Sequence, residues 1–159
     1  CATCDLLLGA RNEISKRGKQ MKQIEMGGYY SSISNQGKRF IPSVLEPNSK
    51  DILMILNLIE NQKYGVVELE NILARDEVDP QKLSLYFEDG NYLLMLLDYD
   101  EEGYIDVRTP YNSNAPKGEF QNILGEPYGA TTVVQDFELV KKCFIEFNQT
   151  GNVSRDLLN

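Results

Sequence analysis

The sequence predicts an α+β fold: an antiparallel β-sheet meander packed against two or three α-helices. Three observations carry that expectation. Apolar and polar residues alternate at Val67–Glu70 and Leu83–Phe87, which is the period of a half-buried strand. Two apolar stripes at helical spacing, Ile52–Ile59 and Phe137–Phe147, flank the strand-rich middle. The strand signals there follow one another through short turns, as an antiparallel sheet allows, without the crossover helices that a parallel sheet needs.

The elements follow in order. Tyr29–Ser34 and Arg39–Leu45 are β-prone runs around Asn35-Gln36-Gly37, a hairpin turn. Pro42 lacks an amide donor, so the second run is expected on a sheet edge. Asn48 or Ser49 is placed to cap a helix, with Asp51 near its positive N-terminus. Ile52, Leu53, Ile55, Leu56 and Ile59 give that helix a broad apolar face and predict that it is largely buried. Arg75–Pro80 reads as a charged loop. Glu88-Asp89-Gly90-Asn91 is a hairpin signal, because Asp-Gly accepts the positive φ such turns require. Tyr92–Asp98 reads as a central strand, apolar on both faces. Tyr99–Gly103 is an acidic turn, and Tyr104, Ile105 and Val107 form the next strand. Thr109–Gly118 is a loop, and Phe120–Leu124 and Thr131–Val134 are short strands. Asp136 caps a last helix whose stripe is Phe137, Val140, Phe144 and Phe147, and Gly151 ends it.

The length, 159 residues, suits one domain. Residues 21–159 are expected to form it, with residues 1–20 a basic tail or upstream segment. The composition shift near Met21 favours a natural start there. The alternative is a small bacterial lipoprotein anchored through a lipidated Cys1. No stretch approaches the ~20 apolar residues of a membrane helix. Cys1 and Cys4 form a CxxC at the chain end, read as two incidental thiols. Cys143, inside the last helix, reads as a small core residue.

The chain contains no histidine and three cysteines. A Ser-His-Asp triad, a Cys-His pair, an HExxH zinc site and a four-ligand Cys/His site are therefore absent from its repertoire. No Gly-rich phosphate cradle occurs either. The expectation is a protein that is not an enzyme, with no catalytic residue, no resident metal and no cofactor. Asp98–Thr109 does place oxygen-bearing residues at positions 1, 3, 5 and 9 of a calcium loop, with Gly103 at the sixth. Against calcium, the twelfth position is Thr109 rather than Glu, and the flanks read as strands. A divalent-metal enzyme using Asp98 and Asp100 is the weakest reading.

Charge is the stronger signal. The formal net charge is −8. Residues 1–50 carry eight basic and four acidic side chains, and residues 51–159 carry eight basic and twenty acidic. Such a body repels phosphate backbones, so direct nucleic-acid binding is not expected, and it attracts a basic protein. Glu88, Asp89, Asp98, Asp100, Glu101, Glu102 and Asp106 lie near strand ends and are the candidate partner-binding residues, forming one negative patch. A solvated rim is the plain alternative for any one of them.

Some segments also resemble a known family. Leu83–Phe87 followed by Gly90–Leu94 is similar to its paired central strands. Phe120–Gly125 comes next, and Thr132–Val134 then leads into a helix ending Phe144–Gly151. This order of elements, from about Asp51 to Asn159, resembles an immunity-protein family of bacterial polymorphic toxin systems, the family of the inhibitor of the double-stranded-DNA cytosine deaminase toxin. The resemblance implies a non-catalytic cytoplasmic inhibitor. Its partner would be a cognate toxin domain, basic and acting on nucleic acid, whose active site it occludes.

Overall fold

The computed structural model describes residues 21–32 and 37–159. Six strands form one antiparallel sheet: β1 (Ile24–Ser31), β2 (Lys38–Leu45), β3 (Tyr64–Asn71), β4 (Lys82–Glu88), β5 (Asn91–Tyr99) and β6 (Ile105–Arg108). Their spatial order is β2-β1-β3-β4-β5-β6. Helix α1 (Ser49–Ile59) links β2 to β3, and α2 (Phe137–Thr150) follows the strands. Strands β7 (Phe120–Ile123) and β8 (Glu126–Gly129) form a separate hairpin. The α+β architecture is the one the sequence predicts.

Both helices form for local reasons. At α1, Asn48 Oδ1 accepts from the Asp51 amide at 2.8 Å, and Asp51 Oδ2 accepts from the Asn48 amide at 3.0 Å. This reciprocal box satisfies two amides that the helix itself leaves unpaired. At α2, Asp136 accepts from the Glu138 amide, and Gly151 closes the helix at φ 75°, which costs glycine little. The stripe Phe137, Val140, Phe144 and Phe147 is buried as its spacing requires, joined by Cys143 and Asn148.

The helices cover one face of the sheet. Ile52, Leu56 and Ile59 of α1 and the stripe of α2 meet Val67, Leu69, Leu83, Leu85, Leu94 and Leu96 in the main core. The alternation of β3 and β4 supplies that face. β5 is apolar on both faces because it serves two cores. Leu94 and Leu96 face the helices, while Leu93 packs with Ile123 and Val133 beneath the β7–β8 hairpin.

Several local expectations need correction. β1 begins at Ile24, not Tyr29, because Ile24 and Met26 enter the core and pair with Asn71 and Leu69 of β3. Gly27-Gly28 interrupts the apolar pattern and hides this start. A register shift between Met26 and Gly28 marks an irregularity there in the pairing with β2. Helix α1 buries one stripe only, since Leu53, Met54 and Leu58 are exposed. The expected strand at Thr131–Val134 is a 3-10 turn, Ala130–Thr132, followed by one bridge from Val134 to Tyr92. The second strand of that hairpin is β8, where Pro127 and Gly129 weaken the β signal. Asn35 and Gln36 of the expected first turn, and Cys1 and Cys4, lie outside the described residues.

Candidate functional site

The described residues include no group of three or more His, Cys, Asp or Glu placed to hold a metal. The calcium-loop letters are folded into a tight hairpin. Asp98 Oδ2 accepts from Arg108 Nη1 at 3.1 Å and its Oδ1 from the Tyr99 amide. Asp100 Oδ1 accepts from the amides of Glu102 and Tyr104. Both carboxylates thus serve the turn between β5 and β6.

Cys143 is fully buried. Burial, reinforced by the charge of Glu146, pushes its thiol up to about 12. A thiol so protonated is a poor nucleophile. We expect a thiol-alkylating reagent to leave Cys143 unmodified at pH 8 in the folded protein and to modify it once urea unfolds the chain. Mass spectrometry of the peptide containing Cys143 reads the difference.

The seven candidate acidic residues do not form one patch. Glu88 and Asp89 sit at the β4–β5 turn, while Asp98, Asp100, Glu101 and Glu102 sit at the other end of β5. A nine-residue strand separates these ends by about 26 Å. Glu88 is also engaged, accepting from the Leu124 amide at the β7–β8 turn. Asp98 is buried, so it presents no charge to a partner. Asp106, opposite Asp98, faces Arg155 at 3.6 Å.

The fold substitutes other neighbours. Asp79 accepts from the backbone amide, Nε and Nη2 of Arg75, which ties the turn between β3 and β4 and holds the Asp79 carboxyl below its ordinary range. That turn carries Asp76 and Glu77. The Tyr99 hydroxyl donates to Asp76 Oδ1 at 3.0 Å, and Glu77 lies against Gly103. Asp76, Glu77, Asp100, Glu101 and Glu102 therefore share one end of the sheet. Sequence reasoning missed Asp76 and Glu77, because the β3–β4 turn meets the β5–β6 turn only after the strands pair.

Beside this acidic end runs β6, the outermost strand. Its apolar alternation, Ile105 and Val107, suggests burial, yet these residues are 67% and 48% exposed, and Tyr104 is 68% exposed. Register explains it. Val107 lies opposite Leu97 and Ile105 opposite Tyr99, which puts all four on the face away from the helices. The residue of β6 that enters the protein is Arg108, on the other face.

Arg108 was not singled out by sequence, and it is the largest fully buried side chain among the described residues. Its five N–H groups all find acceptors. Nε and Nη2 donate to the Leu158 carbonyl, Nη2 also to the Val153 carbonyl, and Nη1 to Asp98 Oδ2 and Asn152 Oδ1. One guanidinium thus fastens the C-terminal segment to the end of the sheet.

A concavity of about 640 Å³ lies between α1 and α2, lined by Leu53, Asn57, Ile145 and Leu157. Its rim carries Lys141 and Lys142 together with Glu138 and Glu146, so it has no single sign of charge.

Together these features define a small α+β protein whose helices seal one sheet face while its outer strand and an acidic end stay open. Residues 23–157 match a family described as a family of unknown function, DUF6911, and the chain belongs to that family. No curated protein matches it. It is similar in fold to a hypothetical protein from Neisseria gonorrhoeae, known from its crystal structure, with a TM-score of 0.71 and 23% identity. That match covers 86% of this chain and 93% of the other. No helix among the described residues is long and apolar enough to cross a membrane.

Proposed function

We propose that this protein is an immunity protein: a non-catalytic inhibitor that binds a cognate secreted toxin domain in the cytoplasm and occludes its active site. One observation carries the reading. The exposed apolar side chains Tyr104, Ile105 and Val107 lie directly beside the acidic end formed by Asp76, Glu77, Asp100, Glu101 and Glu102. An apolar centre with a charged margin is the arrangement that holds a partner and steers its approach. The sign of the margin suits a toxin that is basic because it handles nucleic acid, a nuclease or a deaminase.

The test is coexpression with a toxin domain encoded beside this gene, which the reading requires to exist. Growth should be restored, the two chains should purify as a 1:1 complex, and the toxin's activity should be inhibited stoichiometrically. Reversing Glu101 and Glu102 to lysine should slow association at least about tenfold at low ionic strength, and the difference should shrink as salt screens the charges. A chain that gives no protection, or that turns over a substrate unaided, would contradict the reading.

A further inference from the structure

We propose that the outer edge of β6 is a strand-pairing site for an extended basic segment of the partner protein. The inference rests on the reading of this chain as a binder of a basic protein and assigns the place and geometry of contact.

A sheet edge presents unpaired amides and carbonyls to any extended chain, and proteins usually guard such edges with proline, charge or a covering segment. The two edges of this sheet differ. β2 carries Pro42, which removes a donor, and begins with Lys38 and Arg39. β6 has no proline and no lysine, and the side chains on its open face are Ile105 and Val107.

The pairing pattern says which groups point outward. In an antiparallel ladder, alternate residues direct both backbone groups to the same neighbour. On β5, the Tyr92 amide bonds to Val134 and the Asp100 amide to the Tyr104 carbonyl, so even-numbered residues of β5 face the β6 side. The residues opposite them, Asp106 and Arg108, bond inward. Ile105 and Val107 are left with backbone groups directed away from the sheet, unpaired among the described residues. The same two residues raise their side chains on the open face next to Leu97 and Tyr99. An added strand gains two pairs of backbone bonds and an apolar surface at once, the two ingredients of strand-addition recognition.

The length of the occupant is bounded. At one end the acidic turn begins at Asp100–Gly103, and at the other the Asn159 amide bonds to the Thr109 carbonyl. This admits a strand of about four or five residues, roughly 13–17 Å. Its charge is bounded as well, since Asp76, Glu77, Asp100, Glu101 and Glu102 stand at one end. Apolar residues over Ile105 and Val107, with lysine or arginine reaching the end that carries these carboxylates, match both features. A second copy of this chain fits poorly, because each copy carries a formal charge of −8. The α1–α2 groove offers no comparable match of charge.

The experiment titrates the 15N-labelled protein with the acetylated, amidated peptide Lys-Val-Lys-Ile-Lys-Val-Lys and, separately, with its counterpart bearing Glu for Lys. The basic peptide should give saturable shifts confined to Tyr104–Arg108 and Leu97–Tyr99, and slow exchange of the Ile105 and Val107 amides. The acidic peptide should bind at least tenfold more weakly. Val107→Pro removes an outward donor and should abolish binding. Val107→Lys keeps the backbone intact, should weaken binding of the basic peptide severalfold, and guards against a folding defect in the proline variant. Absence of saturable shifts, shifts centred on β2 or on the α1–α2 groove, equal binding of both peptides, or self-association through β6 without peptide would each overturn the proposal. Full toxin protection by a folded Val107→Pro chain would overturn strand pairing while leaving the immunity function intact. Peptide binding with no toxin protection would do the reverse.

Discussion

Replacing Arg108 with methionine is expected to cost about 3–5 kcal/mol of folding stability, the usual penalty for removing one partner of a buried ion pair. A domain of this size is stable by about 5–15 kcal/mol, so much of its margin would go. The cost has identifiable parts. Asp98 keeps its carboxylate in a site where its side chain is 10% exposed, now without the guanidinium at 3.1 Å. The carbonyls of Val153 and Leu158 lose the guanidinium donor, and Asn152 Oδ1 keeps only the Val153 amide. A methionine of similar volume fills the space, so the loss reflects unpaired polar groups rather than a cavity. Thermal denaturation followed by circular dichroism should show a midpoint lower by about 6–20 °C. Adding Asp98→Leu should recover a measurable part of the loss, because the stranded charge is then gone. If Arg108→Met alone melts within about 2 °C of the parent, the guanidinium does not hold the C-terminal segment as described.

The second large effect separates two adjacent glycines. Gly28 has φ 148°, a conformation that side chains rarely adopt, and a Cβ there would drive into the Val66 carbonyl of the neighbouring strand. The obstacle is backbone and cannot turn aside, so β1 would have to move from β3 along a pairing that runs the length of both strands. Gly28→Ala should therefore cost at least about 3 kcal/mol, at or beyond the upper end of overpacking penalties. Gly27 has nothing within 4 Å of the same methyl and no unusual φ. Gly27→Ala should leave stability within about 1 kcal/mol of the parent, and loss of backbone freedom in the unfolded chain favours it slightly. Urea titrations of the two variants read the contrast directly. Equal destabilisation would mean that the close approach of β1 to β3 is not what requires Gly28.

Both cases bear on how far the sequence could be read. The helices were legible because their determinants are local: Asn48 and Asp51 are three residues apart, Asp136 and Gly151 bracket α2, and each stripe repeats at the helix's own period. The Asp89-Gly90 turn was legible for the same reason, and both residues adopt positive φ, 49° and 80°. Pro42 placed β2 on an edge correctly, since a missing amide is a property of one residue.

Facing and proximity were not legible. Ile105 and Val107 alternate like a buried strand, and nothing local shows that the β7–β8 hairpin covers Leu93 but leaves them open. Arg108 looks like a surface charge until the hairpin register puts it beside Asp98 and the chain end folds over it. The acidic residues counted as one group were divided by the length of β5, and Asp76 and Glu77 joined the far group through a contact between turns. Element type follows from interactions within a few residues, which a linear chain displays. The exposed strand and its charged margin depend on which distant segments cover which face, and only the folded chain decides that.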